Sequence, residues 1–249
     1  GHKDHYSGAV KGALISLMPD AVIIDISHEI PAFALEPASF VIRNCYKNFP
    51  EGTIHILGIN TEASVESPHT IVLYDGHYFI GADNGIFSLI CDRKPEKIIE
   101  INIPQDSDYF TFSTRDVFVK VAYLINAGEP LEKLGFEKQS FTELLTLKPV
   151  LEPDSIKGNV FYIDSYENVI VNITQQLFKE VGRGRAFLIS FRGGNDINVI
   201  SHAYRDVDPG EKLALFGSTS YLEIAINMGN ASSLLGLKLR DTVRIDFED

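Results

Sequence analysis

The sequence contains no tryptophan and only two cysteines, Cys45 and Cys91. Two widely spaced thiols exclude a disulfide framework, and without a C-x-x-C pair they offer neither a zinc site nor a redox motif. Both are expected to be buried thiols in a reducing compartment. Basic residues are scarce as well: 22 Lys and Arg stand against 34 Asp and Glu, a formal net charge of −12. That balance excludes the broad basic face on which phosphate-backbone binding depends, so no nucleic acid partner is expected. Long apolar runs are also missing. None approaches the roughly 18 residues of a membrane helix, and no basic segment followed by an apolar one opens the chain in the manner of a secretory signal. The expectation is therefore a soluble cytoplasmic protein with no membrane partner. What is present is a hydrophobic content of 45% in 249 residues, enough for one large core or two ordinary ones.

Periodicity divides the chain in two. Ala9, Val10, Ala13, Leu14 and Leu17 predict an amphipathic helix over 7–18, ended by Pro19. Residues 21–26, AVIIDI, form a β-branched run expected as a strand buried on both faces. Val41, Ile42, Cys45, Tyr46 and Phe49 mark a second helix, and 53–59 another strand. This alternation predicts parallel βαβ units. Asp75-Gly76, between runs at 70–74 and 77–82, suits a two-residue hairpin turn and so an antiparallel excursion. A strand over 97–103 and a helix over 116–127 closed by Gly128 follow. Together these predict an α/β domain with a mixed sheet over 1–136, and a linker over 137–155. From 156 to 249, short β-rich runs at 159–164, 168–173, 186–191, 213–216, 221–226 and 242–247 predict a smaller all-β, barrel-like domain with one helix over 175–181. Because a helix follows Gly1 almost at once, a strand upstream of this chain is expected.

Several segments carry groups capable of chemistry. GHKDH supplies His2, Asp4 and His5, but no second His or Cys cluster follows, so a polar helix start is the better reading and no metal is expected. In ADNGIFSLI, Asp83 suits an Asx-type helix cap, leaving Asn84 at the mouth of the sheet. In TFSTRDVF, Thr114 suits an N-cap with Asp116 complementing the helix dipole, while Arg115 opposes it. YIDSYENVIVNI sets Asp164, Tyr166 and Asn168 in one turn between strands, a carboxylate, a ring and an amide that suit a purine nucleoside. GSTSYLEIAINMGNASSLLGL is similar in style, with hydroxyls before a strand and Asn227 and Asn230 after it. GINTEASVESPH, residues 58–69, follows a strand and holds Asn60, Glu62, Glu66, two serines and His69, but no lysine or arginine.

In their order along the whole chain, GHKDHYSGAVKGAL, PDAVIIDISHEIP, FPEGTIHILGI, FIGADNGIFSLI, STRDVF, GNVFYIDSYENVIVNI and SYLEIAINMGNAS resemble the S-adenosyl-L-methionine (SAM) hydroxide adenosyltransferases. That family was once a domain of unknown function, and it is related to the fluorinase and chlorinase. The resemblance implies an N-terminal α/β domain, a C-terminal β-barrel-like domain and a homotrimer. It further implies that SAM binds where one subunit's N-terminal domain meets its neighbour's C-terminal domain. By position, Phe33 would pack on the ligand, and Phe112 and Thr114 would lie near the ribose and the reacting carbon. Asp164 would meet the methionine ammonium group, Tyr166 and Asn168 would lie near adenine, and Ser218 and Asn227 would complete the pocket. The family's ribose-binding Asp would fall two residues before Gly1. No cofactor is implied; SAM is the substrate or ligand.

The family's reaction is displacement at the 5′ carbon by water or hydroxide, with methionine leaving and adenosine formed. Its hydrolytic members place an Asp, an Arg and a His around the water. Here those positions read Asn60, Ser67 and Ser113. Asn60 can orient a water but cannot take its proton, and lone serines are weak bases. Glu62, Glu66 and His69 are the neighbours that could substitute. The implied function is SAM binding with slow or absent hydrolysis. The alternatives are a non-catalytic SAM or adenosine binding protein, and a halide adenosyltransferase.

Overall fold

The structure is a computed structural model and describes residues 3–105, 108 and 110–248. It divides into two compact units, Gly1–Leu144 and Leu145–Asp249.

Unit 1 comprises α1 (Tyr6–Leu17), α2 (Leu35–Arg43), β1 (Ile54–Ile56), β2 (His69–Tyr74), β3 (His77–Ala82), α3 (Ile86–Ile90), β4 (Lys97–Ile101), α4 (Val119–Asn126) and β5 (Gly135–Glu137). Its five strands lie in the order β1-β3-β2-β4-β5. Consecutive residues alternate faces. Ile71, Ile80 and Ile99 pack with Leu14, Val117, Phe118 and Val121 on one side, whereas Val72, Phe79 and Ile98 pack with Ile42, Tyr46, Phe87 and Ile90 on the other. Helices cover both faces, so the strands read as unbroken apolar runs rather than alternating ones. Asp75 and Gly76 close the β2–β3 hairpin with φ of 52° and 72°, the paired positive angles of a type I′ turn.

Three expectations fail here. First, the sheet is mostly antiparallel: β1 pairs β3 in parallel, but β3–β2, β2–β4 and β4–β5 are antiparallel. The tight Asp75-Gly76 turn returns the chain beside itself, which a parallel crossover cannot do. Second, residues 21–26 form no strand; Val22 and Ile24 are exposed. A β-branched run becomes a strand only where a neighbour supplies ladder bonds, and among the described residues none pairs with this segment. Third, the helix expected from Val41 onward is α2, which begins at Leu35, followed by a 3₁₀ turn at Tyr46–Asn48. Pro37 sits in the first turn of α2, where its missing N–H has no intrahelical partner to lose.

Unit 2 comprises β6 (Val150–Glu152), β7 (Ser155–Ile163), β8 (Val169–Thr174), α5 (Gln175–Gly182), β9 (Phe187–Phe191), β10 (Asn195–Ile197), β11 (Ile200–Ser201), β12 (Lys212–Phe216), β13 (Tyr221–Ile226), α6 (Ala231–Leu235) and β14 (Thr242–Phe247). These strands form one nine-stranded sheet in the order β10-β9-β14-β7-β8-β13-β12-β11, with β6 beside β7, curled into a nearly closed barrel. Its inner face buries Ile156, Val171, Ile173, Ile189, Leu222, Ile224, Val243 and Ile245. Thr174 caps α5 by accepting the Leu177 N–H at 3.1 Å. The stretch expected as a linker, 137–155, holds the end of β5 and all of β6. Strands β6, β10 and β11 are only two or three residues long, too short for a pattern of period two to declare itself.

Candidate functional site

Unit 1 contains a cleft of about 1070 Å³ between α1, residues 21–33, β1 with the loop after it, and residues 111–114. Phe33, Asn60, Phe112 and Thr114 all line it, whereas Ser67 and Ser113 do not. Phe33 has φ of 65° and stands 77% exposed. A left-handed aromatic residue is a costly backbone state that core packing does not explain. Phe112 is held from two sides, by the edge of the Tyr6 ring at 5.1 Å and by the Arg115 guanidinium over its face at 4.9 Å. Arg115 also grips Asp116, with Nη2 donating to Oδ2 at 2.9 Å. That contact settles why a cation opens this helix. The turn Thr114–Phe118 is π-helical and Ser113 makes no cap bond, so the expected Thr114 cap is replaced by a wider turn of the kind often found at binding sites.

The loop 58–69 is pinned, not loose. Asn84 donates to the Ile59 and Asn60 carbonyls at 3.2 and 3.0 Å while its Oδ1 accepts the Ile86 N–H at 3.2 Å. The Asx role expected of Asp83 therefore belongs to Asn84. Asp83 is instead buried, accepting from Lys138 Nζ at 3.2 Å and the Thr142 N–H at 2.7 Å. His69 Nε2 sits 2.9 Å from the Thr61 carbonyl and its ring meets the edge of Phe118. Burial holds its pKa below the ordinary histidine value. The Ser67 N–H donates to Ser64 Oγ at 3.0 Å in a local turn, Ser113 is buried, and Glu62 and Glu66 are exposed. Of the three positions expected to carry the triad, only Asn60, left-handed at φ 46°, faces the cleft.

Sequence reasoning missed a polar group in the same cleft. Lys11 Nζ lies 2.5 Å from Asp25 Oδ2, and His28 Nε2 lies 3.0 Å from Asp25 Oδ1. All three line the cleft. Hydrogen bonds from Lys11, then His28, hold Asp25 below the usual carboxylate range. The signal in the sequence was slight: an Asp and a His three residues apart, at the end of an apolar run that forms no strand. Among the described residues no group of three or more His, Cys, Asp or Glu is arranged to hold a metal ion. His2 lies outside the described residues, and Asp4 and His5 are exposed.

In unit 2, the turn after β7 is organised by Asp164. Its Oδ1 accepts the N–H groups of Tyr166 and Asn168 at 2.9 and 2.8 Å, and its Oδ2 accepts Asn168 Nδ2 at 3.1 Å. Tyr166 is left 77% exposed, while Asn168 is buried. Glu167, at φ 62°, locks the turn onto α6: its carbonyl accepts the Ser232 N–H and its carboxylate the Ser233 N–H, both at 2.9 Å. Asn227 follows β13 and donates to the Val207 carbonyl at 2.8 Å. Ser218 is exposed and precedes β13. The structure thus gathers Asp164, Tyr166 and Asn168 in one turn. It sets Ser218 and Asn227 at opposite ends of a strand whose length is about 20 Å at the usual rise.

Residues 1–135 match the model of the SAM hydroxide adenosyltransferase N-terminal domain, and 158–244 that of the C-terminal domain. A curated relative from Methanocaldococcus jannaschii, an (R)-S-adenosyl-L-methionine hydrolase, is 28% identical across 99% of this chain and 93% of its own. A fluorinase from Nocardia brasiliensis is 23% identical across 98% and 93%. The crystal structure of an uncharacterized conserved protein from Thermotoga maritima superposes with a TM-score of 0.89 at 30% identity, covering 99% of this chain and 97% of that one. With both of its halves matched in order, this chain belongs to the SAM hydroxide adenosyltransferase family.

Proposed function

We propose that this protein binds SAM, in the (R) configuration at sulfur for which its curated hydrolase relatives are named, and hydrolyses it to adenosine and methionine more slowly than relatives with a complete triad. One observation carries this reading. Asn60 lines a cleft with Phe33, Phe112 and Thr114, which neither Ser67 nor Ser113 lines. In the displacement, water oxygen bonds to the 5′ carbon as the C–S bond breaks. The electron pair stays on sulfur, which departs as a neutral thioether, so leaving-group departure needs no acid and no cofactor. The attacking water must lose a proton, and the Asn60 amide can hold that water in line but cannot accept the proton.

In this reading Phe33 and Phe112 cover the nucleoside and Thr114 lies beside the reacting carbon. From unit 2, Asp164 takes the methionine ammonium group. Its two oxygens offer about four acceptor sites and its own turn uses three, so capacity remains. Tyr166 and Asn168 serve the adenine end, with Ser218 and Asn227 at the margins. A homotrimer would let one copy supply the first set and its neighbour the second. The exposed Phe33 and Tyr166 rings support such pairing, because each leaves a large apolar face for a ligand or another copy. The two free thiols suit a reducing cytoplasm.

The test is incubation of the protein with SAM and chromatographic quantification of adenosine, alongside calorimetric titration of SAM. Binding with slow adenosine release is the expected result. Binding without product would make this a SAM or adenosine binding protein, the reading favoured by an amide in place of a base. Absence of binding would overturn the proposal.

A further inference from the structure

On β13, Leu222 and Ile224 point into the barrel core, so Glu223 between them points to the opposite face, where Leu213, Leu215 and Ala225 form a small second cluster with Val207. Strand register sets Tyr162, Ile170, Glu223 and Leu215 side by side across β7, β8, β13 and β12. Glu223 is only 7% exposed. The Tyr204 hydroxyl donates to its Oε1 at 2.5 Å. Its Oε2 lies 3.3 Å from where a Cβ on Gly217 would stand, immediately before Ser218. No lysine, arginine or histidine pairs with Glu223 or Asp164 among the described residues. A carboxylate in an apolar strand therefore sits beneath both the Tyr204 turn and the Gly217–Ser218 turn, within electrostatic range of Asp164.

We propose that Glu223 is a positioning residue for the SAM site of unit 2: it holds the Tyr204 turn, lies against Gly217, and ionises when the cationic methionine chain of the ligand settles beside Asp164, so that SAM binding expels a proton. This rests on the function proposed above. The physical reason is that burial, with a further push from Asp164, holds the Glu223 carboxyl above its ordinary pKa, partly offset by the Tyr204 hydrogen bond. Among the described residues, Tyr204 and Asp164 are the titratable groups that act on it, with Tyr162 beyond Ile170 in the same row. Burial and a neighbouring carboxylate both disfavour the charged form, and an arriving ammonium group cancels the second effect. Ligand affinity and protonation are then linked. SAM affinity should rise with pH, by up to about tenfold per pH unit while Glu223 titrates. The ligand's ammonium group stays charged below about pH 7, so pH 5 to 7 isolates the protein's contribution. Adenosine, lacking the cationic chain, should bind without that dependence.

The experiment is calorimetric titration of the full chain with SAM and with adenosine from pH 5 to 7, in buffers of different ionisation enthalpy, to count the protons released. Wild type should release protons with SAM and none with adenosine. Glu223→Gln should flatten the pH dependence for SAM and abolish release, with any change in adenosine affinity the same at every pH. Tyr204→Phe, at a position 44% exposed, should move the release to higher pH, and it decides the matter should Glu223→Gln fail to fold. Release that persists in Glu223→Gln, or that is unmoved in Tyr204→Phe, overturns the inference. So does SAM binding to wild type with no proton released, which would leave the function itself standing. Failure of wild type to bind either ligand removes both.

Discussion

In the proposed reaction the choice between an amide and a carboxylate at residue 60 sets how readily the attacking water loses its proton. Asn60→Asp alone should raise adenosine formation, since this position faces the cleft; one positioned base is typically worth about 10²- to 10⁴-fold. Restoring the family pattern fully with Ser67→Arg and Ser113→His is a different matter. Ser113 is 2% exposed, and an imbalance of volume there should cost about 1–3 kcal/mol of stability. The triple variant should therefore melt earlier than Asn60→Asp in a thermal scan, and equal melting temperatures would contradict the placement of Ser113. A second residue-scale effect lies away from the cleft. His55 is 5% exposed, its Nε2 3.2 Å from His77 Nδ1, and burial, with His77 adding, pushes its pKa from 6.5 down to about 4. Between those values the unfolded chain holds a proton that the folded one does not, so stability falls as pH drops from 7 toward 4, by about 3 kcal/mol. Urea denaturation at pH 7 and 4.5 should show His55→Phe losing distinctly less stability than wild type; identical losses would rule His55 out.

At the scale of the element, the loop 58–69 depends on Asn84, whose amide ties two loop carbonyls to the start of α3. Asn84→Ala should cost about 1–3 kcal/mol by leaving those groups short of partners, and hydrogen exchange should accelerate at residues 58–62 before it does in β2 or β3. Unchanged exchange there would show that the loop is held some other way. This tie also marks the limit of what the sequence could disclose. Asp75-Gly76 was legible because a two-residue turn is a local matter, and so was Gly128, at φ 81°, as a helix cap. The choice between Asp83 and Asn84 was not, because Asp83 is claimed by Lys138 and Thr142, more than fifty residues on. Residues 21–26 had the composition of a strand, but strand formation is settled by a neighbour and not by the segment. The π-helical turn at Thr114 was unreadable for a related reason: Arg115 meets Phe112 and Asp116 in a geometry that the local pattern shares with an ordinary helix start.

For the whole molecule, the order of motifs over both units carried the family, and residues 1–135 and 158–244 match its two domain models. Phe33, Asn60, Phe112 and Thr114, taken from the family resemblance, line one cleft. Lys11, Asp25 and His28 went unseen, because the groups that meet there come from a helix face and from a segment misread as a strand. Glu223 went unseen because its partner Tyr204 is 19 residues away on another element. If one copy's unit 1 set serves with its neighbour's unit 2 set, sedimentation should give three times the 27.7 kDa chain mass, and a monomer that still binds SAM would contradict the shared site. The most direct test of the central claim is the rate of adenosine formation from (R)-SAM by this protein, measured side by side with the Methanocaldococcus jannaschii relative under saturating ligand. The proposed function predicts that SAM binds and that adenosine forms at least about a hundredfold more slowly than with that hydrolase. Equal rates would contradict it and direct attention to the Lys11, Asp25 and His28 group in the cleft.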